Sequence, residues 1–291
     1  NDTATSDLYT LSLHDALPIC GTLDVAGNLS VDGGTIKLDG NYPTGTQNVA
    51  LGDTALDSVQ SDGNYNVAIG HGSLTANTTG DDNSAVGRSS LTSNTTGIQN
   101  TAIGKSSAEA NTTGDSNTSI GRHSLLSNTT GSSNTALGTE ALNSNTTASN
   151  NTAVGFEAGL STTTGAQNTF LGRKAGRGNT TGTENTFVGN SAGRDGTTTG
   201  SQNVGIGTAC FNALTSGSNN IAIGRDALGA NTTANNNTAV GQSALLANTT
   251  GQYNTFVGAD SGASNTTASF NTFVGSTDGT YGGAGGGTTG D

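Results

Sequence analysis

Apolar residues in this chain recur neither at helical spacing nor in simple alternation; they recur every 17 residues. The stretch Asn237–Gly251 reads NTAVGQSALLANTTG, and variants of the unit N-T-A-V-G-x-x-A-L-x-x-N-T-T-G-x-x follow one another fourteen times. The glycine closing each N-x-x-x-G keeps this spacing from Gly52 to Gly275, with one extra residue before Gly70 and another before Gly207. Such repetition decides the fold before any local signal does. The period is too short for a helical-hairpin repeat or a propeller blade. The Gly, Thr and Asn in every unit disfavour helix. The pattern predicts an all-β protein, a parallel β-solenoid (β-roll) of about 14 coils of 17 residues. Each coil is expected to hold two or three short strands joined by tight turns, stacked ~4.8 Å apart over roughly 65 Å.

Counting each unit from its Asn, position 1 never varies: Asn48, Asn66, Asn83, Asn100, Asn117, Asn134, Asn151, Asn168, Asn185, Asn203, Asn220, Asn237, Asn254 and Asn271. Stacked amides of this kind can form a hydrogen-bonded ladder. Position 5 is always Gly, which points to a left-handed backbone or a close approach at a corner. Position 15 is usually Gly but becomes Ala148, Ala234 and Ala268, so that turn is not expected to need a positive φ.

Positions 3 and 9 vary together. Ala at position 3 goes with Leu at position 9, as in Ala50 and Leu56. Phe at position 3 goes with Gly at position 9: Phe170 with Gly176, Phe187 with Gly193, Phe256 with Gly262, Phe273 with Gly279. Once the exchange inverts, as Gly205 with Phe211. A close-packed pocket of fixed volume explains the trade, so positions 3 and 9 are expected to share a core. Ala153 with Gly159 departs from the rule, and Phe156 at position 6 is a candidate to fill that space. Ala102 with Ala108 is underfilled.

Neighbours along a strand point to opposite faces. If position 3 points into the coil, position 4 points out, and a row of Leu51, Ile69, Val86, Ile103, Ile120, Leu137, Val154, Leu171, Val188, Ile206, Ile223, Val240, Val257 and Val274 lies outside. If position 4 faces inward instead, the 3/9 row needs cover. An extended apolar row marks an interface. Either arrangement predicts self-association, and burial around a common axis favours a homotrimer.

Composition narrows the class. Hydrophobic residues are 30% and aromatics 4% of 291 residues, with 46 Gly, no Trp and no Met. A thick core is excluded, leaving disorder or a thin repetitive core, and strict periodicity selects the second. Absence of Met is expected for a fragment or processed chain. No apolar run approaches the roughly 20 residues of a membrane span. The net charge of -12 argues against a nucleic-acid partner and fits a self-repelling extracellular surface.

Residues 1–20 share nothing with the repeat, and residues 7–20 closely resemble the translated read-through of a sequencing adapter. That resemblance implies a non-native segment, so His14, Asp15 and Cys20 carry no chemistry on this reading. Residues 21–47 are expected to form a strand-rich connector, residues 48–280 the solenoid, and residues 281–291 a Gly-rich tail. Cys210, where other units mostly have Ala or Ser, is expected to be a small buried thiol.

No catalytic residue, cofactor or metal ligand set emerges. His71 and His123 occupy variable positions expected to face solvent. Outside residues 1–20 the chain shows no Cys/His cluster with metal spacing and no nucleophile–base pair above the Ser/Thr background. Nine NTT triplets, formally glycosylation sequons, are read as turn chemistry. Stacked Thr at positions 2, 13 and 14 leave an alternative open: an ice-binding solenoid with a regular, weakly polar face.

The phrases NVAIG (Asn66–Gly70), NVALG, NTAIG and NTAVG resemble the head repeats of trimeric autotransporter adhesins. The longer NTAVG…AL…NTTG form resembles repeats of phage and bacterial tail-fibre-like proteins. The resemblance covers about residues 21–280 and implies a non-enzymatic fibre segment, shaft or head, at a cell surface or on a virion. It implies partnering with itself, and with a host-surface glycan or protein as a further candidate. Neither an autotransporter membrane anchor nor the chaperone domain that often ends tail fibres is expected in this segment.

Overall fold

A computed structural model describes residues 47–276. The adapter-like segment, most of the connector and the Gly-rich tail lie outside the described residues. Within them the chain is a parallel β-solenoid. Fourteen three-residue strands, β1 (Val49–Leu51) to β14 (Thr272–Val274), form one sheet in sequence order. Every pairing is parallel and in register, so position 2 meets position 2, as Thr238 meets Thr255 and Val240 meets Val257.

Each coil has a single strand, at positions 2–4, rather than the two or three expected. The remaining positions also bond from coil to coil: Leu74 N–H donates to the Ser90 carbonyl (3.0 Å), and Thr78 N–H to the Thr95 carbonyl (2.9 Å). They fail to form strands because positions 7, 9 and 17 hold left-handed residues; examples are Ser89 (φ 58), Leu91 (φ 49) and Gln99 (φ 58). Bulky residues rarely adopt this conformation, which costs on the order of 1–3 kcal/mol. Bonds to the coils above and below hold each of them there.

Position 5 turns the corner with φ near +136, as at Gly52. A Cβ at Gly52 would lie 2.7 Å from the carbonyl carbon of Gly70 in the next coil. Both the conformation and the close approach therefore exclude a side chain.

Position 3 faces inward in every coil, and its flanking residues at 2 and 4 do not. β2 and β3 show half-buried, buried, half-buried; β8 shows exposed, buried, exposed. The core is a column of positions 3, 8 and 9, including Ala68, Leu74, Phe170, Phe187, Phe211 and Leu245, all fully buried.

Candidate functional site

The core pairs lie side by side. Ala50, Leu56, Phe170, Phe187, Phe211 and Phe256 are buried. A Cβ at Gly193 would fall 2.7 Å from the Phe187 ring, one at Gly262 2.5 Å from Phe256, and one at Gly205 2.9 Å from Phe211. At Gly176 it would run into the edge of Phe170. Phe273 is only partly buried, and its partner Gly279 lies outside the described residues. The rings also meet between coils: Phe170 stacks on Phe187 with centroids 5.9 Å apart, and Phe211 lies tilted against Phe187 at 6.1 Å.

Coil 7, which contains Ala153 and Gly159, is filled differently from the expectation. Phe156 is exposed, with the Arg173 guanidinium 5.9 Å from its ring centre. The space at Gly159 belongs to neighbouring coils: a Cβ there would be 2.6 Å from Phe170 and 2.9 Å from Leu142. Phe170 therefore serves two coils. Beside the underfilled Ala102 and Ala108, polar groups enter the core. Ser119 replaces Ala at position 3, and its hydroxyl lies 2.8 Å from that of Ser107 and 2.7 Å from that of Ser124.

The position-1 asparagines stack from Asn48 to Asn271. In a typical step the Asn117 Oδ1 accepts both from the Asn134 backbone N–H (3.0 Å) and from Asn134 Nδ2 (3.1 Å). Nδ2 also donates across the coil to the position-15 carbonyl, as Asn134 does to Ala148 (2.9 Å). Asn66 through Asn254 are buried, and Asn48 and Asn271 at the two ends are half-buried.

Two further ladders escaped the sequence reading. The sequon asparagines at position 12 from Asn77 to Asn145 are buried and stacked, whereas Asn265 in the last coils is half-buried. Asn94 Nδ2 donates to Asn77 Oδ1 (2.8 Å), and the steps continue to Asn145. Each also donates to the position-15 carbonyl of its own coil, as Asn94 does to Gly97 (2.9 Å). The stacked Asn are fully buried, so the folded chain presents no glycosylation acceptor at them. At position 16, Asp115 Oδ1 accepts the Ile98 N–H (2.8 Å) and Ser132 Oγ accepts the Asp115 N–H (3.0 Å). The signal was a bias to Asp, Ser and Asn at a position that looked variable.

Outward-facing columns remain. Along position 4, Leu51, Ile103, Leu137, Leu171, Ile206, Ile223 and Val274 are exposed, and Ile69, Val86, Ile120, Val154, Val188, Val240 and Val257 are half-buried. Along position 13, Thr hydroxyls are committed to the backbone: Thr95 Oγ1 donates to the Thr112 carbonyl (3.0 Å), and the pattern repeats. Position 14 is an exposed Thr column that includes Thr96, Thr113, Thr130 and Thr147. His71 at position 6 is exposed and His123 at position 7 half-buried.

Cys210 is a free, buried thiol with its Sγ 3.3 Å from the Gly207 carbonyl oxygen. Burial pushes its pKa up to about 12. Among the described residues no three His, Cys, Asp or Glu side chains are grouped to hold a metal ion. None of the helices required to cross a membrane occurs among these residues.

Comparison with known proteins leaves the argument to the fold. No protein-family model matches the chain, and no curated protein matches it. The chain is a structural repeat, and what its outward columns meet is the functional question.

Proposed function

We propose that this solenoid is a structural fibre segment, the shaft or head of an extracellular adhesin or tail fibre, that works as a homotrimeric spacer and attachment surface. One observation carries the reading. The apolar position-4 row lies outside the coil, along an unbroken parallel sheet of fourteen strands. Strands with apolar residues on both faces are buried on both faces, and large exposed apolar patches mark interfaces. A second copy presents the same row in the same register, so self-association covers it along its whole length. The resemblance to adhesin heads and tail-fibre repeats supports the same arrangement.

The test is the solution mass of the full chain by light scattering, alongside Ile103→Lys/Ile223→Lys. Three protomers that dissociate in the variant support the proposal. A wild-type monomer overturns it. The second reading, ice binding, is favoured by the exposed position-14 Thr column. It is weakened by the tied hydroxyls at position 13 and by Val49, Val67, Val204 and Ile221 at position 2. Thermal hysteresis by a monomer would select it.

A further inference from the structure

Charge is unevenly placed on this acidic chain. Position 6 follows the corner glycine, so it sits past the strand face. In four successive coils it holds His71, Arg88, Lys105 and Arg122, all exposed. Coils stack at strand spacing, so these side chains form a file at intervals of ~4.8 Å. Acidic partners touch only its ends. Asp53 Oδ2 is 3.6 Å from His71 Nε2, and Glu140 Oε1 is 2.7 Å from Arg122.

Arg88 and Lys105, in the middle, make no ion pair among the described residues. The other acids of these coils stand elsewhere in the unit. Asp81, Asp82 and Asp115 are at positions 16 and 17, before the strand, and Asp81 and Asp115 are engaged with backbone N–H groups. Glu109 is half-buried at position 10. The position-7 residues next to Arg88 and Lys105 are Ser89 and Ser106, which add no charge.

Stacking like charges directly above one another is unfavourable in a sheet, and the rest of the column avoids it. After Arg122 the file reads Thr139, Phe156, Arg173, Asn190, Thr208, Arg225. We propose that the His71–Arg88–Lys105–Arg122 file binds an acidic polysaccharide laid along the solenoid axis, with carboxylates or sulfates of successive sugars meeting successive coils.

A linear polymer with an anionic group on every sugar suits a periodic file of cations. Arg forks and the Lys ammonium supply charge-assisted hydrogen bonds. A single-stranded nucleic acid would also need aromatic platforms for its bases. Positions 6 and 7 of these four coils hold no Phe, Tyr or Trp. The site lies off the position-4 row, past the corner glycine. The proposal rests on the fibre reading only for its setting at a surface.

The experiment is binding of the full chain to polygalacturonate, with a neutral glucan and single-stranded DNA of similar length in parallel. Arg88→Gln/Lys105→Gln is compared with wild type, and Arg225→Gln serves as a control outside the file. Both changes are at exposed positions, and unchanged circular dichroism and solution mass would show that fold and assembly persist. The expected result is salt-sensitive binding of polygalacturonate alone, weakened at least tenfold by the double variant and unaffected by the control.

Absence of binding to polygalacturonate would overturn the proposal. So would equal loss in the control, or equal binding of DNA, which would mean indiscriminate attraction of polyanions. The mass measurement reports separately on the fibre reading, so the two can fail independently.

Discussion

The exchange between positions 3 and 9 can be tested where it is most loaded, at Phe170. Its ring lies over Gly176 in its own coil and over Gly159 in the coil before. Phe170→Ala removes that filling and should cost about 3–5 kcal/mol. Gly176→Leu alone overpacks the pocket and should cost about 1–3 kcal/mol. The left-handed backbone at Gly176 (φ 60) adds its own cost, but one that other coils bear, since Leu142 holds the same position with φ 48.

Combined, the two changes convert this coil to the Ala/Leu type found at Ala136 and Leu142. The double variant should then be more stable than Phe170→Ala, with a coupling of about 2–3 kcal/mol. It should still fall short of wild type, because nothing fills the space at Gly159. Adding Gly159→Leu should recover most of the remainder. Urea denaturation at fixed protein concentration gives the global numbers. Repeat arrays can open locally, so amide exchange across residues 151–193 should show the same order of protection. Losses in the double variant equal to the sum of the singles would refute the shared pocket.

Further outcomes follow from the polar columns and the thiol. Asn145 Oδ1 and Thr162 Oγ1 are buried without hydrogen-bond partners, because Thr162 interrupts the position-12 ladder. Thr162→Asn should supply the missing donor and stabilise by about 1–3 kcal/mol, raising Tm by about 2–4 °C per kcal/mol; a lower Tm in calorimetry would mean the Thr methyl is packed too tightly to replace. For Cys210 the sign runs one way. Burial holds the folded thiol neutral up to about 12, whereas an unfolded thiol ionises near about 8.5. Its stabilising contribution is therefore complete below the unfolded value and is lost as pH rises toward the folded one. Between those limits wild type should lose stability faster than Cys210→Ala in denaturant titrations, and parallel curves would contradict the assigned burial.

Much of the solenoid is written in the period. A 17-residue repeat with an invariant Asn and Gly admits few folds, and the Phe/Gly exchange identifies two positions as one pocket because close packing conserves volume. The period also set out the stacked Asn, since identical side chains fall at the same place in each coil. Other features depended on tertiary structure. Nothing in the residues at positions 7, 9 and 17 announces a left-handed backbone; Leu91 and Gln99 adopt it because coil-to-coil bonds outweigh its local cost. That conformation removed the additional strands expected in each coil.

The second Asn column resembled ordinary turn chemistry until Asn94 and Asn77 were seen 2.8 Å apart. Whether position 3 or position 4 faced inward was open in the sequence, since either choice buries an apolar row. The structure turns position 3 inward because only that choice places it beside position 9, where the large residue of one meets the small residue of the other. The basic file at position 6 was equally invisible as a unit. His71, Arg88, Lys105 and Arg122 are separated along the chain, and stacking alone makes them neighbours.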